Sequence, residues 1–221
     1  MTRYALSAAA IALVGGAGLL FHSTLPRTGR LRAGMFCFYT NLSNLLIVVW
    51  ELALALAAVL APAGGAYRLL AAPDVALAMT ACIWVTHLIF HFVLLPYGRR
   101  HRRGGGEPRP RHTAGDIFGN ACVHYVTPGL VLAQWALLAD KSGLGVRSAA
   151  QWLVLPLAYF LFAMVRGASG KPIGNTALRY PYPFLDRPAL GPRRFWLGIA
   201  GLLAFFFALG LALVGAARLL A

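Results

Sequence analysis

Residues 36–60 read Phe36-Cys37-Phe38-Tyr39-Thr40-Asn41-Leu42-Ser43-Asn44-Leu45-Leu46-Ile47-Val48-Val49-Trp50-Glu51-Leu52-Ala53-Leu54-Ala55-Leu56-Ala57-Ala58-Val59-Leu60. The run exceeds the roughly 20 apolar residues that carry a helix across hydrocarbon. Its apolar residues are continuous rather than alternating, and a lone strand in lipid would leave its backbone polar groups unpaired, so the run predicts a membrane helix. Five more runs of this kind occupy residues 4–21, 74–95, 117–139, 149–165 and 195–217. The chain of 221 residues is 59% hydrophobic and 12% charged, with a mean hydropathy of +0.69, which excludes a water-soluble domain of ordinary composition. The expectation is an all-α integral membrane protein, a single domain of six transmembrane helices in one bundle.

The first run, with Arg3 before it, also has the outline of a signal peptide. It is long for such a segment and lacks a small-residue cleavage site before His22 and Pro26, so it is counted as the first span. Cys37, Cys82 and Cys122 all fall inside spans without a pairing motif, and their odd number argues against a disulfide framework.

The formal net charge of +14 would suggest nucleic acid in a soluble chain. Here it reports topology. Arg27, Arg30 and Arg32 lie in the first loop, Arg99, Arg100, Arg102, Arg103, Arg109 and Arg111 in the third, and Arg166, Lys171, Arg179, Arg187, Arg193 and Arg194 around the fifth. By the positive-inside rule these loops are cytoplasmic and both termini extracytoplasmic. The partner is a lipid bilayer and not nucleic acid. An Arg-rich, Ala-rich composition is associated with bacteria of high GC content, which makes the expected location a bacterial plasma membrane.

Two loops differ in kind. Residues 97–115 are rich in Arg, Gly and Pro and are expected to be flexible; they serve either as a topology signal or as a site for anionic headgroups. Residues 166–194 contain Tyr180-Pro181-Tyr182-Pro183-Phe184-Leu185-Asp186, where alternating proline and aromatic residues stiffen the chain. Such a segment suits an interfacial lid or substrate rest, or else an aromatic membrane anchor.

Polar residues interrupt the helices in stripes. At about 100° per residue, Thr40, Ser43, Asn44 and Glu51 share a face of the second helix. Thr80, Trp84, His87 and His91 do so on the third, and Asn120, His124, Thr127 and Gln134 on the fourth. Polar side chains avoid lipid, so the stripes should face one another around a polar interior cavity in the cytoplasmic half. Thr40, Asn44, His91, Asn120 and His124 are expected at one depth and Glu51 with Gln134 in a deeper layer, Glu51 as a protonated, hydrogen-bonded acid.

Such a site suits acyl transfer: Thr40 attacks an ester carbonyl, His124 removes and returns the proton, and an asparagine amide, from among Asn41, Asn44 and Asn120, stabilises the oxyanion. No acidic partner for His124 is evident, since Asp116 lies two turns away toward the surface. His87-x-x-x-His91 offers a competing reading, because histidines four apart on a helix can ligate one metal, with His124 as a third ligand, in a metal-dependent membrane hydrolase. A non-enzymatic lipid binder or carrier is the remaining alternative.

Three segments resemble, in order, the marks of the androgen-induced protein family of multipass membrane proteins: residues 36–44, residues 120–128 with His124 at the centre, and Tyr182-Pro183-Phe184-Leu185-Asp186 with Gly191 behind it. The likeness covers the second to sixth helices and is to the bacterial branch, of which Asn41 and Asn44 look characteristic. It implies a membrane threonine hydrolase, needing no cofactor, that acts on lipid esters of the type formed by fatty acids with hydroxy fatty acids. By position Thr40 matches the family's catalytic threonine and His124 its catalytic histidine. Asn41, Asn44, Asn120, His87, His91, Glu51, Gln134, Tyr182 and Phe184 are the surrounding candidates for substrate contact or support.

Overall fold

Among the described residues, six helices are long and apolar enough to cross a membrane: α1 (Arg3–His22), α2 (Tyr39–Leu60), α3 (Pro73–Arg99), α4 (Ala114–Leu138), α5 (Val146–Ala168) and α6 (Pro192–Leu220). The computed structural model describes residues 3–23, 25–31, 33–99, 113–174, 176 and 178–220, and among these there is no strand. The flexibility and headgroup attraction expected of residues 97–115 fall mainly on 100–112, outside the described residues.

The helix boundaries follow from local chemistry. At α3, Pro73 stands in the first turn, where its missing N–H is not needed. At α4, Thr113 and Asp116 form a reciprocal cap: the Asp116 amide donates to the Thr113 hydroxyl at 3.1 Å, and the Thr113 amide to the Asp116 carboxylate at 2.9 Å. Arg27, in the short helical turn Leu25–Thr28 that follows α1, also pairs with Asp116 at 3.2 Å, tying that turn to the start of α4. Pro156 cannot donate to the Trp152 carbonyl four residues back, and α5 loosens at that turn.

α1 lies in the seam between α2 and α4, while α3 touches α2, α4 and both later helices. Two glycines make the first of these contacts close. A methyl group on Gly18 would strike the Cys122 side chain, and one on Gly119 would strike the backbone at His22. The close approach brings the last turn of α1 beside the middle of α4.

α3 and α4 each contain one widened turn, Phe90–Leu94 and Cys122–Val126. In these turns the Leu95 amide bonds the Phe90 carbonyl and the Thr127 amide bonds the Cys122 carbonyl, five residues back rather than four. Such π turns free backbone carbonyls for other donors and rotate the following stretch of helix. Here they fall on the histidine-bearing segments.

Candidate functional site

Thr40 sits in the first turn of α2 and is buried. A short 3₁₀ turn, Ala33–Cys37, leads into the helix, and the Asn41 amide holds it by donating to the Met35 carbonyl at 2.8 Å. Thr40 lines a cavity of about 80 Å³ enclosed by α2, α3, α5, α6 and the loop before α6. Its wall is mainly apolar, with Ile89, Phe160, Leu203 and Phe206 among the contributors, and Thr86, Tyr39, Tyr159 and Tyr182 also line it. The space beside Thr40 is therefore mainly apolar rather than the polar chamber expected: the stripes do turn inward, but they bond mainly backbone carbonyls, with Ser43–Thr86 and Glu51–Gln134 as side-chain pairs between helices.

Tyr182, Phe184 and Leu185, in the loop before α6, form one side of the cavity. Tyr182 is buried, stacks on Phe184 with ring centroids 5.0 Å apart and meets Phe38 edge-on at 5.9 Å. Its phenol approaches the hydroxyl and carbonyl of Thr40, and burial pushes that phenol above the ordinary tyrosine range, so it stays protonated. The loop is folded in by Arg166, whose guanidinium donates to the carbonyls of Lys171 and Pro172, each at 2.8 Å, and by Gly167, which leaves room for the Tyr180 ring. The segment packs Tyr182 and Leu185 inward against the cavity.

His124 lies in the π turn of α4 and is buried. Its ring stacks on Phe90 at 3.6 Å between centroids and meets His22 edge-on at 6.0 Å. It stands outside the cavity wall, and among the described residues no hydrogen bond joins it to Thr40. Asn44 is the link between them. The fully buried amide nitrogen of Asn44 donates to the Thr40 carbonyl at 2.8 Å and to the Val123 carbonyl at 3.0 Å, holding the two turns one side chain apart. His87 supports the same turn by donating Nδ1–H to the His124 carbonyl at 2.9 Å. His124 Nδ1 and Asn44 Oδ1 are buried without a protein partner.

Several expectations change at this level of detail. Both hydrogens of the Asn44 amide are engaged and the Asn41 amide is turned to Met35, so neither asparagine is placed to hold an oxyanion. His91 is exposed and meets the Tyr125 hydroxyl at 3.2 Å; His87, not His91, reaches the level of His124. Asn120 is half-buried, one turn before His124. The deeper layer forms as expected: the Gln134 amide donates to Glu51 at 3.0 Å. Among the described residues no three of His, Cys, Asp and Glu converge as a metal would require, and His87 directs its Nδ1 to a carbonyl.

Residues that sequence patterns did not single out complete the site. His22 and Phe90 flank the imidazole, and Thr86 bonds Ser43 at 2.7 Å, fixing α2 against α3 at the cavity wall. A polar residue ending an apolar run, as His22 does, reads from sequence as a boundary marker. Only the close α1–α4 contact turns it toward His124. Comparison with known proteins found no matching family model, curated protein or solved structure.

Proposed function

We propose that the protein is an intramembrane hydrolase that cleaves an acyl ester of an amphipathic lipid through a threonine nucleophile. One observation carries the reading: the Thr40 side chain lines a mainly apolar cavity beside Tyr182, and Asn44 ties its turn to that of a buried histidine whose Nδ1 has no protein partner. The likeness of residues 36–44, 120–128 and 182–186 to the androgen-induced protein family supports it.

In this mechanism the acyl chain lies in the cavity and its ester carbonyl reaches Thr40. The Thr40 oxygen forms a bond to the carbonyl carbon while His124 takes the hydroxyl proton. Collapse breaks the ester C–O bond, and the proton passes from His124 to the departing alcohol. Water then attacks the acyl-threonine with His124 again as base, releasing the fatty acid and restoring the hydroxyl. Tyr182, kept neutral by burial, is the donor nearest the developing oxyanion. Joining Thr40 to His124 requires a local shift of the π turn when substrate enters, in keeping with catalytic hydrogen bonds that tighten only in the complex.

A fluorophosphonate probe tests the reading on the detergent-solubilised protein. Labelling at Thr40 is expected, lost in both Thr40→Ala and His124→Ala and retained in part by Thr40→Ser, with helical circular dichroism unchanged. Labelling that survives Thr40→Ala rejects this nucleophile and leaves the cavity as a lipid-binding site. Loss of ester cleavage on treatment with a chelator would instead favour metal-activated water.

A further inference from the structure

Above the Thr40 layer, toward the end of the bundle opposite the basic loops, polar atoms continue along the seam of α1, α2 and α4. Glu51 is fully buried and forms no ion pair among the described residues. Its Oε2 accepts from the Gln134 amide at 3.0 Å; the same amide donates to Ser7 at 3.1 Å, and the Ser7 hydroxyl donates to the Tyr4 carbonyl at 2.8 Å. Gln134 has thus used both hydrogens, and Glu51 Oε1 and the Tyr4 hydroxyl remain buried without partners. Tyr4 in turn faces Tyr67, which stands half-buried in the short helix Gly65–Leu70 at that end.

Thr127 fills the interval below. A helical threonine in a membrane normally bonds the carbonyl three or four residues back. For Thr127 those carbonyls belong to His124 and Val123, and they are taken by His87 and Asn44. The π turn has exposed them to side chains of other helices, and the Thr127 hydroxyl is left fully buried and unpartnered. It approaches α1 at Gly15, beside Val48. Val48 lies between Asn44 and Glu51 on α2, whose levels differ by about 10 Å at 1.5 Å per residue.

Tyr4 OH, Glu51 Oε1, Thr127 Oγ1, Asn44 Oδ1 and His124 Nδ1 therefore form a file of buried atoms without protein partners, stepping through the bundle on three helices. Each can accept a proton or orient one, and a buried polar atom without a protein partner carries a penalty that apolar packing alone would have removed. We infer that this file is a proton path in which Glu51 is the carrier, exchanging protons with the Tyr4–Tyr67 end and with His124. A proton entering at one end displaces one at the other, so Glu51–COOH is restored in each passage and no other species is consumed. The titratable groups facing the path are Tyr4 and Tyr67 near Glu51, and His22 and His87 near His124. The path shares His124 with the proposed hydrolysis but requires no reaction at Thr40.

The test is proton flux in vesicles of neutral lipid carrying the full-length protein, driven by a potassium gradient with valinomycin and followed with an entrapped pH dye. The wild type is expected to exceed protein-free vesicles, Glu51→Gln to fall to their level, and Thr127→Val to be reduced. Asp140→Asn, at an exposed acid outside both the path and the Thr40 site, is expected to conduct as the wild type does, which shows that the loss in Glu51→Gln belongs to the buried acid. Infrared spectroscopy supplies a second measurement. The carbonyl band of a protonated carboxylic acid should be present at neutral pH and vanish in Glu51→Gln, because the other described acids, Asp74, Asp116, Asp140 and Asp186, lie at or near the surface. Wild-type flux at the protein-free level, flux unchanged by Glu51→Gln, or an acid band unaffected by that substitution would each overturn the path. Flux carried by sodium in place of protons would overturn the assignment of the carrier ion.

Discussion

At the scale of single residues, two primary amides organise the interior in the same way. Asn44 and Gln134 each donate twice, Asn44 to the Thr40 carbonyl of its own helix and across the seam to the Val123 carbonyl, Gln134 across seams to Ser7 and Glu51. Removing a donor from a buried acceptor leaves that acceptor desolvated, at a cost of about 1–3 kcal/mol. Asn44→Ala is accordingly expected to destabilise the protein by that amount and, by releasing the Val123 turn from Thr40, to weaken fluorophosphonate labelling far more than Asn41→Ala does. Equal labelling in the two variants would remove Asn44 from the site. Asn41 acts through the turn at Met35, so its loss should appear in thermal stability rather than in reactivity.

Elements decide what these residues can reach. The contact of α1 with α4 depends on Gly18 and Gly119, where any side chain meets Cys122 or the His22 backbone. Gly119→Leu is expected to force the helices apart, lower stability by about 1–3 kcal/mol, the usual cost of overpacking, and separate His22 from His124; a thermal unfolding midpoint equal to that of the wild type would contradict this. Tyr182 makes a second prediction. Burial raises the Tyr182 pKa in the folded protein, so its contribution to stability is complete below the ordinary tyrosine pKa of about 10 and is lost as pH rises above it. The unfolding midpoint should fall less steeply on the alkaline side in Tyr182→Phe than in the wild type. Tyr182→Ala should also widen the cavity and admit bulkier acyl probes to Thr40.

For the molecule as a whole, six spans return both chain ends to one face of the bundle, opposite the loops rich in arginine. Reporters fused near Arg3 and Arg218 should both be extracytoplasmic; a cytoplasmic signal from the C-terminal fusion would reverse the orientation. The helices themselves were legible because crossing a bilayer demands uninterrupted apolar length, a property of the chain read residue by residue. The inward turn of the polar stripes was legible too, since 3.6 residues per turn puts Thr40, Asn44 and Glu51 on one face. What sequence could not supply is the phase at which helices meet. The π turns at Phe90–Leu94 and Cys122–Val126 rotate the stripes of α3 and α4 part-way along, which is why His87 rather than His91 meets the His124 turn. The 3.6-residue periodicity holds no record of such a turn, because the carbonyls it frees are satisfied by side chains from other helices, Asn44 and His87 among them. The sequence by itself determined a six-helix membrane protein whose polar stripes turn inward. Tertiary packing alone decided that Thr40 faces an apolar cavity while His124 faces α1, because close contacts at glycines and hydrogen bonds between distant spans exist only once the helices have assembled.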